Sequence, residues 1–308
     1  MNRTPEAILP PFLKRGDTIA IVAPAGPVHN DEEFARGLDI LAGMGFKTLY
    51  RPDVLRRDGY LAGNDRLRLT ELHDFWQDRE VRAIMAARGG YGCLRLLPNL
   101  DWELIRRQPK MLIGFSDLTV LLCALEQQTG LVTFHGPMLT TLGRSDRESL
   151  ESLGDLLLGR PQREIRTKKL EILQKGQARG RLLIGNLTCL SHLLSTPFEP
   201  DWQNRILVLE DVGEAPYRID RLLTQLSMAG RLEKIAGLIL GSFDQCGGDV
   251  EPIWNRATEL LAKRNIPIWA NFPSGHNSSN RVLPMGITAE MDSAGGRLLL
   301  HYPDQTRF

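Results

Sequence analysis

The chain has 308 residues, 38 basic against 37 acidic, and a 42% share of hydrophobic side chains. That length holds two domains of ordinary size, and so even a charge balance argues against nucleic acid or a membrane surface as partner. No run of eighteen apolar residues occurs, and Met1-Asn2-Arg3-Thr4-Pro5-Glu6 lacks the apolar stretch of a signal peptide, so a cytoplasmic protein is expected.

Residues 17–23 form a short apolar, β-rich run that ends in Pro24-Ala25-Gly26-Pro27. Phe34, Leu38, Leu41 and Ala42 recur at helical spacing over 31–44, and Gly45 stops that helix. Residues 47–50 read as a second strand, 65–75 as an amphipathic helix and 81–87 as a buried strand. The loop Arg88-Gly89-Gly90-Tyr91-Gly92 follows. A further apolar run, Lys110-Met111-Leu112-Ile113-Gly114, turns into Phe115-Ser116, and a helix is expected from Asp117 onward. This βαβα rhythm predicts a mostly parallel sheet covered by helices. In such sheets the working loops lie at the carboxyl ends of the strands, here 24–27, 88–92 and 114–117.

Past residue 150 the texture changes. Residues 160–180 are charged and polar and read as a connector carrying a strand or two. Short strands are expected at 182–184, 206–209, 236–240, 268–270, 283–288 and 297–302, with helices near 217–228 and 253–264. The predicted fold class is therefore α/β, with an N-terminal parallel-sheet domain over 1–160 and a connector over 161–180. A smaller, β-rich α+β domain over 181–308 completes it, with a cleft between the halves.

Ser116 stands on a turn between a buried strand and a helix. Its hydroxyl is placed near the first backbone N–H groups of that helix, which carry partial positive charge and suit a developing oxyanion. The arrangement has the form of a nucleophile elbow, although Leu118 replaces the second glycine of G-x-S-x-G. A serine that merely caps a helix explains the same residues. A serine nucleophile also needs a base and an acid to orient it. Of the six histidines, His73 and His192 fall in helical stretches and His301 in the last strand. His276 lies in a polar loop, Pro273-Ser274-Gly275-His276-Asn277, where it is either a base or simply solvated. The strand 206–209 runs straight into Glu210-Asp211. Glu210 either orients His276 or pairs with Arg218 or Arg221, and Glu214 is a second choice for the acid. The glycine loop at 88–92 permits close backbone approach, so it could donate one oxyanion N–H, with Asp117 N–H as the second. No dinucleotide fingerprint, Walker A sequence or zinc-ligand spacing is present, and Cys93, Cys123, Cys189 and Cys246 never form C-x-x-C. A hydrolase without metal or other cofactor is expected.

Taken together these segments resemble the LD-carboxypeptidase family, serine peptidases that include muramoyltetrapeptide carboxypeptidase and the microcin C self-immunity hydrolases. The motifs run in family order: Ala23-Pro24-Ala25-Gly26, Gly63-Asn64-Asp65, Arg88-Gly89-Gly90-Tyr91-Gly92, Gly114-Phe115-Ser116-Asp117, His135-Gly136-Pro137-Met138, Gly185-Asn186-Leu187, the block from Leu209 to Arg221, and Gly275-His276. One departure is the single Gly185 after Ile184, where many relatives carry a glycine pair. The resemblance implies Ser116 as nucleophile, His276 as general base and Glu210 as the acid that orients it, with Gly90 and Asp117 as oxyanion donors. It also implies a Rossmann-like sandwich joined to a β-rich, barrel-like domain, usually in a homodimer. The implied reaction releases terminal D-alanine from cytoplasmic murein tetrapeptide by cleaving an L,D-peptide bond through an acyl-enzyme. Such an exopeptidase must read a free carboxylate, for which Arg88 and Asn186 are candidates. The competing readings are a microcin C-type hydrolase with the same triad and a non-catalytic small-ligand binding protein.

Overall fold

The computed structural model describes residues 5–304. Strands β1 (Thr18–Val22), β2 (Lys47–Leu49), β3 (Val81–Ala86), β4 (Met111–Gly114) and β5 (Thr133–His135) alternate with helices. These are α1 (Asp31–Gly43), α2 (Asp65–Gln77), α3 (Trp102–Arg107) and α4 (Thr119–Thr129), and α5 (Arg147–Leu157) follows β5. The rest of the chain forms β6 (Glu164–Arg166), β7 (Glu171–Gln174), β8 (Gln177–Asn186), α6 (Leu187–His192), β9 (Arg205–Val212), α7 (Pro216–Met228), β10 (Gly237–Asp244) and α8 (Glu251–Leu260). Four more strands close it: β11 (Ile268–Ala270), β12 (Leu283–Met285), β13 (Thr288–Asp292) and β14 (Arg297–His301).

Two mixed sheets result, as expected of an α/β fold. The first has the order β12-β5-β4-β3-β1-β2 and is parallel except for β12. Its central strands are buried on both faces, which is why they read as unbroken apolar runs. The second sheet, β6-β14-β13-β8-β9-β10-β11-β7, holds a parallel centre of β8 to β11 between antiparallel edges. It is the wider of the two sheets. Segment 161–180 contributes β6, β7 and the start of β8 to this sheet.

The apolar stretch 283–288, expected as one strand, is divided between the sheets. β12 pairs antiparallel with β5, while β13 pairs with β8 and β14. Between them the backbone of Gly286 donates to Leu182 O, and Leu182 N donates to Ile287 O, so the chain crosses over at that point. Helix α4 is buried nearly all round because it lies where the halves meet. Buried apolar residues of both halves form a single continuous core. Asn30, Asn64, Asp101, Asp146 and Asn186 cap α1, α2, α3, α5 and α6 through side-chain oxygens, which fixes where the loops near the strand ends begin.

Candidate active site

Strand β4 delivers Phe115 in an extended conformation, and the next residue, Ser116, has φ +62°. A side-chain-bearing residue in the left-handed region costs on the order of 1–3 kcal/mol and persists only where its surroundings hold it. Residues Ser116–Leu118 then form one 3-10 turn before α4. Neither that turn nor α4 has a side-chain cap, so Ser116 is not a capping serine. The strained turn leaves its side chain half-buried beside the glycine loop. A methyl group built on Gly89 would stand 2.9 Å from Ser116 Oγ, so only a glycine backbone fits against the hydroxyl.

The second sheet supplies the partners. Glu210, near the carboxyl end of β9, is fully buried, and its Oε2 lies 2.6 Å from His276 Nδ1. His276 occupies the loop after β11, where its backbone N–H donates to Ser242 Oγ (3.0 Å) and Ser242 N–H donates to Ser274 O (2.8 Å). Gly275 has φ +130°, and a Cβ there would meet Ser242 Oγ at 2.2 Å and Glu210 Cβ at 3.0 Å. The loop therefore lies flat on the end of β9 and β10. Arg218, the alternative partner for Glu210, pairs instead with Glu214, and Arg221 lies over the Tyr217 ring. Glu214 is thereby paired just before the start of α7, while Glu210 is the carboxylate on the histidine.

Phe115 joins the two halves of the site. Its ring centroid lies 4.7 Å from that of His276 and 5.8 Å from that of His135, tilted by about 60° in both cases. No direct hydrogen bond links Ser116 Oγ to His276; the nucleophile turn and the imidazole meet through the ring of Ser116's own neighbour. Such bonds are often long in unliganded hydrolases and tighten around substrate. His135 is fully buried, and neither of its ring nitrogens has a hydrogen-bond partner among the described residues. Burial pushes its pKa down to about 4, against an upward pull from Glu210. The remaining oxygen of Glu210, Oε1, is also buried without a partner.

Side chains passed over in the sequence reading hold these loops together. Asp117 Oδ2 accepts the Cys93 N–H (2.8 Å), tying the nucleophile turn to the end of the glycine loop. Burial raises the Asp117 pKa, partly countered by that Cys93 bond. The fully buried Arg68 of α2 donates to Gly63 O, Pro24 O and Gly92 O, and Glu71 one turn on accepts the Ala23 N–H. The signal for both was available: two charges on the buried face of an amphipathic helix. Across the halves, Thr119 Oγ1 accepts the Asn186 N–H (3.0 Å), and Asn186 sits in register with Glu210.

The structure gives Asn186 another role than ligand binding. Its Oδ1 accepts Cys189 N–H as the α6 cap, its Nδ2 donates to Asp211, and the residue is buried. Arg88 is half-buried and donates to Pro27 O, with Glu33 and Arg144 within electrostatic reach. Asp117 N–H, second in its short helix, has no partner inside that helix. The carbonyl of Gly89 accepts from Gly26 N–H, so across a planar trans peptide the Gly90 N–H points the other way. Among the described residues no group of three or more His, Cys, Asp or Glu side chains is placed to hold a metal ion.

An α/β fold with a serine on a strained strand-to-helix turn, whose neighbour Phe115 packs on a histidine–glutamate pair, belongs to the class of serine hydrolases. Residues 19–136 match the LD-carboxypeptidase N-terminal domain and residues 179–291 the LD-carboxypeptidase C-terminal domain, and the chain belongs to the LD-carboxypeptidase family. A putative carboxypeptidase of Synechocystis shares 40% identity over 97% of this chain and 99% of its own length. The murein tetrapeptide carboxypeptidase of Pseudomonas aeruginosa shares 36% over 91% of this chain and 94% of its own. The crystal structure of muramoyltetrapeptide carboxypeptidase from Oxalobacter formigenes superimposes with a TM-score of 0.80 at 31% identity, covering 94% of this chain and all of that one.

Proposed function

We propose that this LD-carboxypeptidase removes the terminal D-alanine of murein tetrapeptide by hydrolysing an L,D-peptide bond, with Ser116 as nucleophile. The observation that carries this reading is the 2.6 Å contact between His276 Nδ1 and the buried Glu210, in a loop packed on the ring of Phe115. A carboxylate at that distance is an acceptor only, so it selects the tautomer with the proton on Nδ1 and leaves Nε2 free to take the Ser116 proton. Attack on the substrate carbonyl forms a tetrahedral intermediate, and His276 protonates the amine of D-alanine as the scissile C–N bond breaks and leaves an acyl-enzyme. His276 then takes a proton from the water that attacks and releases the acyl group. Glu210 holds the Nδ1 proton by its hydrogen bond and stabilises the imidazolium.

Gly90 N–H and Asp117 N–H serve as the oxyanion donors in this reading. Arg88, whose Nη1 donates to Pro27 O beside the glycine loop, reads the substrate's free carboxylate. Asn186 acts indirectly, by joining α6, β9 and the start of α4. The enzyme works in the cytoplasm as a homodimer on peptides released from murein. Among the described residues no helix is long and apolar enough to cross a membrane, which is compatible with that placement.

The test is D-alanine release from purified murein tetrapeptide by wild type and by Ser116→Ala. Release by wild type that the variant loses is the expected result. No release by wild type, or release retained by the variant, overturns the assignment. Parallel incubation with an acyl-sulfamoyl nucleotide separates the microcin C-type reading, and its cleavage without tetrapeptide cleavage would favour that alternative.

A further inference from the structure

At the amino ends of β3 and β4, on the far side of the first sheet from Ser116, lies a hollow of about 500 Å³. Arg79, Arg82, Arg107 and Lys110 line it, and none of its lining residues is acidic. Several other arginines on this half are matched by carboxylates, among them Arg51 by Asp74, Arg106 by Glu103 and Arg147 by Glu151. No ion pair or hydrogen bond occupies the guanidinium groups of Arg79, Arg82 and Arg107 among the described residues, and all three side chains are exposed. Lys110 is built into the floor. It is buried, and its ammonium donates to Phe75 O (3.0 Å) and Asp78 O where α2 ends. An ammonium has three donors, so two carbonyls do not exhaust it.

Four cations left together cost electrostatic energy unless something neutralises them. Asp78 offsets part of the charge on Lys110, and Asp17 and Glu80 lie in the adjoining hollow, which shares Arg79 and Arg82 and adds Lys14 and Lys47, so the three guanidinium groups keep no carboxylate partner of their own among the described residues. In a molecule of net charge +1, this concentration of unmatched cations has no counterpart in composition. Guanidinium forks match phosphate oxygens two at a time, while an ammonium contributes a point charge.

We propose that this hollow binds the diphosphate group of a small phosphorylated ligand. Three arginines can grip two adjoining phosphates, with Lys110 beneath them. A volume of about 500 Å³ exceeds what one orthophosphate fills and leaves room for an attached small group. The hollow lies at the opposite ends of the strands that carry the catalytic loops. β3 begins with Val81 and Arg82 of the hollow and ends at the glycine loop, and β4 follows directly on Lys110 and ends before Ser116. At about 3.3 Å per residue the two sites are separated by roughly a strand length, about 20 Å, so binding can be removed without touching the catalytic groups.

The test is calorimetric titration of the full chain with inorganic pyrophosphate at near-physiological salt. The expected result is saturable binding with Kd below about 1 mM, weakened at least about tenfold by the Arg82→Ala/Arg107→Ala double substitution. That variant keeps wild-type turnover of the peptide substrate. Lys110→Met is expected to weaken binding also, and the double variant carries the test if Lys110→Met fails to fold. No saturable heat, equal binding by the double variant, or equal affinity for sulfate at matched ionic strength overturns the proposal. Binding of pyrophosphate with equal affinity for orthophosphate overturns the assignment to a diphosphate.

Discussion

At the scale of single residues, the site depends on a contact that leaves no room. The backbone of Gly89 lies against Ser116 so closely that an added methyl would sit 2.8 Å from Cβ and 2.9 Å from Oγ. Gly89→Ala must therefore displace either the hydroxyl or the loop. A shift of about 1 Å at a reacting atom costs on the order of 100-fold in rate. We expect kcat to fall by about that factor with an unchanged circular dichroism spectrum, and a variant with wild-type kcat would show that the loop yields freely. Ser116, Glu210 and His276 could be singled out as candidates in the sequence because each lies near a strand end or in a polar loop and each belongs to a motif. Phe115 was not, since an apolar residue at a strand end looks the same whether it fills a core or separates two imidazoles. Asn186 misled for a related reason: its amide reads as a free polar group until Asp211 and Cys189 N–H are seen to take it up.

At the scale of elements, α2 does more than cover the sheet. Arg68 reaches three loop carbonyls, at Gly63, Pro24 and Gly92, and pairs with Asp65 on its own helix. Replacing it by methionine keeps much of the volume and removes every donor. Leaving buried carbonyls unsatisfied costs about 1–3 kcal/mol for each group that water cannot reach. Arg68→Met should lower the unfolding free energy by about 3 kcal/mol in denaturant titration and reduce activity, because the 24–27 and 88–92 loops lose their shared anchor. A loss under about 0.5 kcal/mol would mean that water replaces the guanidinium without cost. Strand and helix order along the first half was readable from periodicity. The division of 283–288 between two sheets was not, because one apolar run serves equally well as one strand or two and the choice lies with the partners.

At the scale of the whole molecule, the two sheets meet around α4, Phe115 and His135, and the buried imidazole there ties stability to pH. The folded protein holds His135 neutral, with its pKa pushed down by burial to about 4 from 6.5. The unfolded chain binds a proton at that site below about 6.5 and the folded chain does not until about 4, so stability is full above that window and falls as pH drops through it. The difference amounts to about 3 kcal/mol at the acid end. Unfolding curves between pH 7 and 4 should show this loss in wild type and a flatter dependence in His135→Gln. Parallel curves for the two proteins would assign the acid sensitivity to other groups. The sequence by itself determined the α/β class, the family and the identity of the candidate serine, histidine and glutamate, because local hydrophobic period and short motifs encode strands, turns and their end residues. Only the tertiary structure decided that His276 takes Glu210 and not Glu214, that Asn186 is a brace, that β12 crosses to the first sheet, and that four cations share one hollow. Those outcomes depend on which distant segments pack together, and no window along the chain contains both partners.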